Sequence, residues 1–265
     1  MTSSTRWALG LLGALLLIGG LAPLLVPHGA ETIDLAARRG APSWAHWFGT
    51  DDLGRDVALR VLVGARVSLA IGALSAVLAA ALGLACGLVA GFAGGWVDAL
   101  LMRLTDAMLA IPRLPLLMLA AATLRPGVPA LVLLVAAVGW MEAARVVRTE
   151  TRSIAARDFV AAARGLGLST AQLVRRHVLP GLVPVTSVAL TLAVGRGILL
   201  ESTLSFLGVG VQPPRASWGN MLYQARTTLT SAPWLAIFPG LCIFFTVLAC
   251  NALGNALATR ARTDT

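Results

Sequence analysis

Lysine is absent from the 265 residues, and only 12% of the chain is charged. A soluble domain carries about twice that share of charge. Cysteine is scarce too: Cys86, Cys242 and Cys250 all lie in apolar runs. No C-x-x-C and no Cys/His ligand spacing occurs, so neither a disulfide framework nor a zinc site is supported. The phosphate loop G-x-x-x-x-G-K-[ST], the nucleophile motif G-x-S-x-G and the zinc motif H-E-x-x-H are also missing. His28, His46 and His177 are too scattered for a joint metal site, and His46 between Trp44 and Trp47 reads as part of an interfacial aromatic cluster. What is abundant is apolar surface, at 57% of residues and a mean hydropathy of +0.82. That excludes a disordered chain, a coiled coil and most soluble enzymes, and leaves an all-α polytopic membrane protein.

A spanning helix needs about 20 mainly apolar residues. Six stretches qualify, at about 7–26, 67–91, 99–124, 128–147, 182–206 and 233–257, in one membrane domain covering 1–265. A signal peptide competes for the first. Its length and the lack of an A-x-A site favour a retained helix. The third carries Arg103, Asp106 and Arg113, together with Pro112 and Pro115. It is expected to bend and to face protein or water rather than lipid. Arg103 and Asp106, three apart, share a helix face and could pair.

Six spans put both termini on one side. The segment from Arg145 to Arg176 holds seven arginines, and Arg260 and Arg262 follow in the tail. By the positive-inside rule the N and C termini are therefore inside. The net charge of +9 is then that of a membrane protein's inner loops rather than of a nucleic-acid partner. The first outer loop has four arginines, but Glu31, Asp34, Asp51, Asp52 and Asp56 balance them, and it is expected to be folded. The long segments outside the spans are 27–65, 148–181 and 208–232, and long loops are usually functional. In the last, Pro213-Pro214 suits a stiff outer lid, while Trp218 suits an interfacial turn.

The inner loop 148–181 is the most legible. A first helix is expected from Arg145 to about Arg164, with Arg145, Arg148 and Arg152 on one face. Gly165 and Gly167 end it. Ser169 and Gln172 form a capping box for a second helix, with Leu168 and Leu173 in the staple positions. Pro180 is expected to stop this helix near Leu179. Spacing alone leaves two roles open, a grip for a soluble partner or an amphipathic helix on anionic lipid.

The same stretch resembles the EAA loop of ABC importer permeases. Ala161-Ala162-Ala163, Gly167, His177 and Leu179-Pro180 stand at that motif's spacing. Ala161 replaces its glutamate, and His177 takes an apolar position. Phe48-Gly-Thr-Asp-Asp-Leu-Gly-Arg-Asp56, Gly64-Ala-Arg-Val-Ser-Leu69, Gly94-Gly-Trp-Val-Asp98 and Glu201-Ser-Thr-Leu-Ser-Phe-Leu-Gly-Val-Gly-Val-Gln-Pro-Pro214, followed by Ser217-Trp-Gly-Asn-Met-Leu222, resemble the second permease of dipeptide, oligopeptide and nickel importers.

The resemblance implies a type I ABC importer permease in the bacterial inner membrane, with no catalytic residue and no cofactor of its own. It implies a heterodimer with a second homologous permease, two ATPase subunits that bind ATP and Mg, and an extracytoplasmic substrate-binding protein. Its coupling loop would comprise Ala161, Ala162, Ala163, Arg164, Gly167, Leu168, Ser169, Gln172, Leu173, Val174, Arg175, Arg176, His177, Leu179 and Pro180. Within it, Leu168, Leu173 and Val174 are expected to supply apolar contact to the ATPase, and Arg164, Arg175 and Arg176 polar contact. Arg103, Asp106, Arg113, Arg196 and Glu201 are candidates for the transport path or for pairing inside the membrane, with pairing favoured. A different class is a proton-coupled secondary transporter with Asp106 and Glu201 as relays. A third is a membrane scaffold without transport.

Overall fold

A computed structural model of the chain describes residues 3–25, 29–124 and 127–263. Val26, at the end of the first expected span, and His28 lie outside the described residues. The fold is all α. Helices α1 (Ser3–Leu25), α2 (Val57–Ala93), α3 (Gly95–Ala110) and α4 (Arg113–Leu124) come first. Then follow α5 (Val128–Ala137), α6 (Trp140–Ala155), α7 (Asp158–Gly165) and α8 (Thr170–Leu173). Last are α9 (Leu179–Phe206), α10 (Trp218–Ala225) and α11 (Trp234–Thr263).

Among the described residues, three helical paths are long and apolar enough to cross a membrane: α2, the path from Thr170 to Phe206, and α11 up to Arg260. Two bent pairs raise the number to five if each is one broken span. The first pair, α3 and α4, turns by 80° at Ile111-Pro112. Proline there removes a backbone donor and clashes with the preceding turn, so the bend that the sequence predicts is a sharp corner. The second pair, α5 and α6, turns by 43° at Val138-Gly139.

Helix α2 is the central post. Asp56 caps it by accepting from the Leu59 N–H at 3.0 Å, and Gly94, at φ 63°, ends it. It starts well before the apolar stretch 67–91, because the Asp56 cap and a buried face from Val57 to Ala65 carry the helix into the polar segment. Its main partner is α6, and the seam is made of glycine. A Cβ on Gly83 would lie 2.5 Å from the Ala143 Cβ, on Gly87 2.5 Å from the Ala144 carbonyl oxygen, and on Gly91 2.6 Å from the Thr151 Cβ. Small residues one turn apart let two backbones approach closely, which is the main source of helix attraction in lipid.

The two ends of α2 sit in different apolar clusters. Near its start, Val57, Val61, Ala65 and Leu69 pack with Ile198 of α9, Trp218 and Met221 of α10, and Leu235 of α11. Trp218 is fully buried, and its indole N–H donates to the Val61 carbonyl at 3.1 Å. It is thus a core residue and not the interfacial anchor that the sequence suggests. The segment 208–232 carries a short helix wedged among α2, α9 and α11. Near the other end, Leu84, Leu88 and Phe92 of α2 pack on the loop helices. The segment before α2 is folded, as expected: Phe48 stacks on Phe238 of α11 at 3.8 Å, and the Trp234 indole donates to the Thr50 carbonyl.

Candidate functional site: the loop helices and the charges behind them

The chain leaves α6 at Ala155 and turns at Ala156-Arg157 before α7 begins. The single helix expected from Arg145 to Arg164 is therefore two helices with a corner. The break lets both apolar faces reach one cluster, because Ile154 of α6 and Val160 and Ala163 of α7 are buried together. Asp158 lies in the first turn of α7 and Arg164 in the last, each matched to the helix dipole. Gly167 has φ 86°, a conformation costly for any residue with a Cβ. Its N–H donates to the Arg164 carbonyl, and the Leu168 N–H to that of Ala163, closing α7.

The capping box forms as its spacing predicts. Ser169 Oγ accepts from the Gln172 N–H at 3.4 Å, and Gln172 Oε1 accepts from the Ser169 N–H at 2.8 Å. The helix does not stop near Leu179. Residues Val174–Val178 form one wide π turn, in which the Leu179 N–H reaches the Val174 carbonyl, and α9 continues from it. Pro180 sits in the first turn of α9, where a missing N–H costs little. The proline thus sits at the junction of the loop helix and a span, and the helical path runs through it without a break.

The two faces of this hairpin differ sharply. Leu173 is only 2% exposed and packs with Val147, Ile154, Val160, Val178 and Leu182, with Leu168 against them. Of the three apolar residues expected to contact a partner, Leu173 is turned into its own chain, while Leu168 and Val174 are half-buried beside it. The outward face instead carries Leu166, 82% exposed, with Phe159, Ala161, Ala162, Arg164, Gln172, Arg175 and Arg176. Phe159 and Leu166 were missed by sequence reasoning. Their seven-residue spacing puts them on one side of a helix, but nothing in the sequence says that this side faces outward. His177 is half-buried next to the Phe159 ring, at 5.9 Å. Pro180 is exposed and Leu179 half-buried.

Behind the hairpin, the arginine face of α6 meets the carboxylates of α3. Asp98 is buried and accepts from both Arg148 and Arg152, at 2.6 and 2.8 Å. Arg145 pairs with Asp106. Asp106 therefore does not pair with Arg103. The pair on one helix face is displaced by a guanidinium from a neighbouring helix, while Arg103 stays exposed. Asp98 was missed as a site residue, although two arginines four apart opposite an acidic first turn are a legible sign.

Arg113 and Arg196 converge on one carboxylate, Glu142 of α6, Arg113 at 2.6 Å. All three line a cavity of about 180 Å3 between α2, α6 and α9. Glu142 was not among the sequence candidates. Glu201 does not pair with Arg196. It is fully buried and accepts from Ser68 at 3.0 Å and Ser205 at 2.7 Å. Ser68 Oγ in turn accepts from the Trp218 N–H at 3.1 Å, so this carboxylate ties together α2, α9 and α10. No group of three or more His, Cys, Asp or Glu that could hold a metal occurs among the described residues. His46 lies 2.8 Å from Asp56, and Trp44 and Trp47 flank it, largely exposed.

Stacked broken and unbroken spans, with a capped helical hairpin fused to the foot of one of them, define a multi-pass membrane transport subunit. Residues 83–263 match the family described as binding-protein-dependent transport system inner membrane component. The chain is 43% identical over 244 residues to the glutathione transport system permease protein GsiD of Shigella flexneri, covering 92% of this chain and 80% of that protein. GsiD of Escherichia coli is 41% identical over the same coverage. A Brucella suis protein named as a peptide permease is 41% identical over 237 residues, covering 89% of this chain and 78% of that protein.

The chain belongs to the family of inner-membrane permease components of binding-protein-dependent ABC importers. It is a multi-pass protein of the inner membrane, and its transporter also comprises ATPase subunits and a binding protein. ATP hydrolysis resides on those ATPases, and this chain carries no cofactor of its own. Energy therefore comes from ATP and not from a proton relay through Asp106 and Glu201.

Proposed function

We propose that this chain is the second permease of an importer for peptides or related small solutes such as glutathione, working as a heterodimer with a homologous permease. Two relatives named for peptide and glutathione transport support the substrate class. The proposed architecture is that of a type I importer: one domain, six spans including α1, with both termini on the side of the α7–α8 hairpin. The arginines of α6, α7 and the π turn favour that side as the cytoplasmic one. Only 17% of the most apolar stretch of the Thr170–Phe206 path is buried, which leaves α9 a broad open face for the companion permease.

The observation that carries the mechanism is the outward face of the hairpin. Leu166 and Phe159 supply apolar contact to an ATPase groove, and Arg164, Arg175 and Arg176 supply polar contact around it. Leu168, Leu173 and Val178 hold the hairpin to α2 and α6. Gln172 and Ser169 keep its start intact, and the turn through His177, Leu179 and Pro180 carries motion into α9. Ala161, Ala162, Ala163 and Gly167 allow close approach, with Ala161 leaving out the family's usual carboxylate. Asp106, Arg113, Arg196 and Glu201 act mainly in helix pairing, while Arg113 and Arg196 also line the path through their shared cavity and the exposed Arg103 stays a candidate for the path alone.

The test is a mild-detergent pull-down of the tagged chain, wild type beside Leu166→Asp. The wild type is expected to retain a second permease and the ATPases. Leu166→Asp is expected to retain the permease and lose the ATPases. Full retention of the ATPases by this variant would overturn the assignment of the docking face.

A further inference from the structure

The loop before α2 holds a charge arrangement that the coupling mechanism does not use. Asp51 is its centre. One carboxylate oxygen accepts from the N–H groups of Leu53 at 2.8 Å and Arg55 at 3.0 Å. The other accepts from Arg55 Nε at 2.7 Å and faces Arg60 Nε at 3.5 Å. A carboxylate has about four acceptor positions, so Asp51 has none left. Each guanidinium has about five donors. The next acceptor is a neutral one, Gln224 Oε1, at 3.3 Å from Arg55 Nη2 and 3.4 Å from Arg60 Nη2. Arg60 Nη1 is buried with no hydrogen-bond partner.

Two buried cations therefore share one anion. Asp52, at the rim, is held by Arg39 at 2.5 Å, and Glu31 acts on Arg60 only at longer range. An unpaired buried donor on a charged group is costly. Beside it lies a cavity of about 240 Å3 whose remaining wall is Asp52, neutralised by Arg39, and apolar residues that include Leu53, Val57, Pro213, Met221 and Leu235. At about 30 Å3 per water, this holds far more than one solvent molecule. An anion on an apolar stem matches the charge, the orphan donor and the wall.

The geometry points to a binding site for a carboxylate borne on a small apolar group, received by Arg60 and Arg55 and closed by Gln224. Helix α2 has 37 residues and is about 55 Å long, against about 30 Å of membrane hydrocarbon. The cavity is at its start and the α7–α8 hairpin packs at its end, so they face opposite sides of the membrane. That the carboxylate belongs to the incoming solute rests on the importer reading; the binding itself does not.

The test uses the full chain with its partners in lipid nanodiscs and ligand-observed NMR. The probes are N-acetyl-leucine and N-acetyl-leucinamide, which differ only in the carboxylate. The acid is expected to bind at least about tenfold more tightly than the amide, as a charge-assisted contact implies. Gln224→Glu places an anion where one is lacking. It is expected to abolish binding of the acid and to raise the thermal unfolding midpoint. Arg60→Gln is expected to abolish binding as well; if that variant does not accumulate, Gln224→Glu decides. Equal binding of acid and amide, or unchanged binding of the acid to Gln224→Glu, would overturn the site. Neither readout requires transport, so the site and the importer reading fail separately.

Discussion

The two ends of α2 use the same stoichiometry of charge with opposite consequences. At the hairpin end, Asp98 is shared by Arg148 and Arg152. At the other end, Asp51 is shared by Arg55 and Arg60. Each cluster has one cation in excess. The side chains of Arg148 and Arg152 are 27% and 50% exposed, so water covers the surplus. Those of Arg55 and Arg60 are 10% and 2% exposed, so water is largely excluded. Counting charges does not distinguish a structural clamp from a binding site; the solvent access of the surplus donor does.

The largest effect that separates the two ends is expected for Asp51→Ala. It leaves two buried guanidiniums without their anion, and removal of one partner of a buried pair costs about 3–5 kcal/mol. Thermal unfolding of the detergent-purified chain should show a severe loss or no folded protein. Gly87→Leu comes next. Its side chain would enter the α2–α6 seam at Ala144 and Val147, and overpacking costs about 1–3 kcal/mol. The same unfolding assay should show a clear drop in midpoint. Asp98→Asn is expected to cost about 1 kcal/mol, because its arginines remain hydrated. If Asp98→Asn proved as damaging as Asp51→Ala, the contrast between the ends would fail. Leu166→Asp is expected to leave the unfolding midpoint unchanged, because the residue is exposed, and to act only on ATPase association.

What was legible in the sequence follows the range of the interactions. The all-α membrane class follows from apolar composition, and the Ser169–Gln172 capping box from residues three apart. The corner at Pro112 follows from the chemistry of one residue. Features that depend on another element were not legible. Asp106 has Arg103 within reach along its own helix, yet Arg145 of α6 takes it. Pro180 reads as a helix stop, yet the π turn before it removes the need for its N–H. Leu173 and Leu166 are equivalent apolar residues in the sequence, and only the packing of α6, α2 and α9 makes one an anchor and the other a surface. Glu142 and Arg60 likewise gain their meaning from helices distant along the chain.

That last pair of leucines offers the most direct test of the coupling account. With Cys86, Cys242 and Cys250 replaced by alanine, a single cysteine is placed at position 166 or at position 173. Each variant is treated in native membranes with a short thiol-to-amine crosslinker. The account expects a crosslink to the ATPase from position 166 and none from position 173. A crosslink from position 173 with none from position 166 would contradict it, and would mean that the hairpin meets its ATPase by a face that this structure buries.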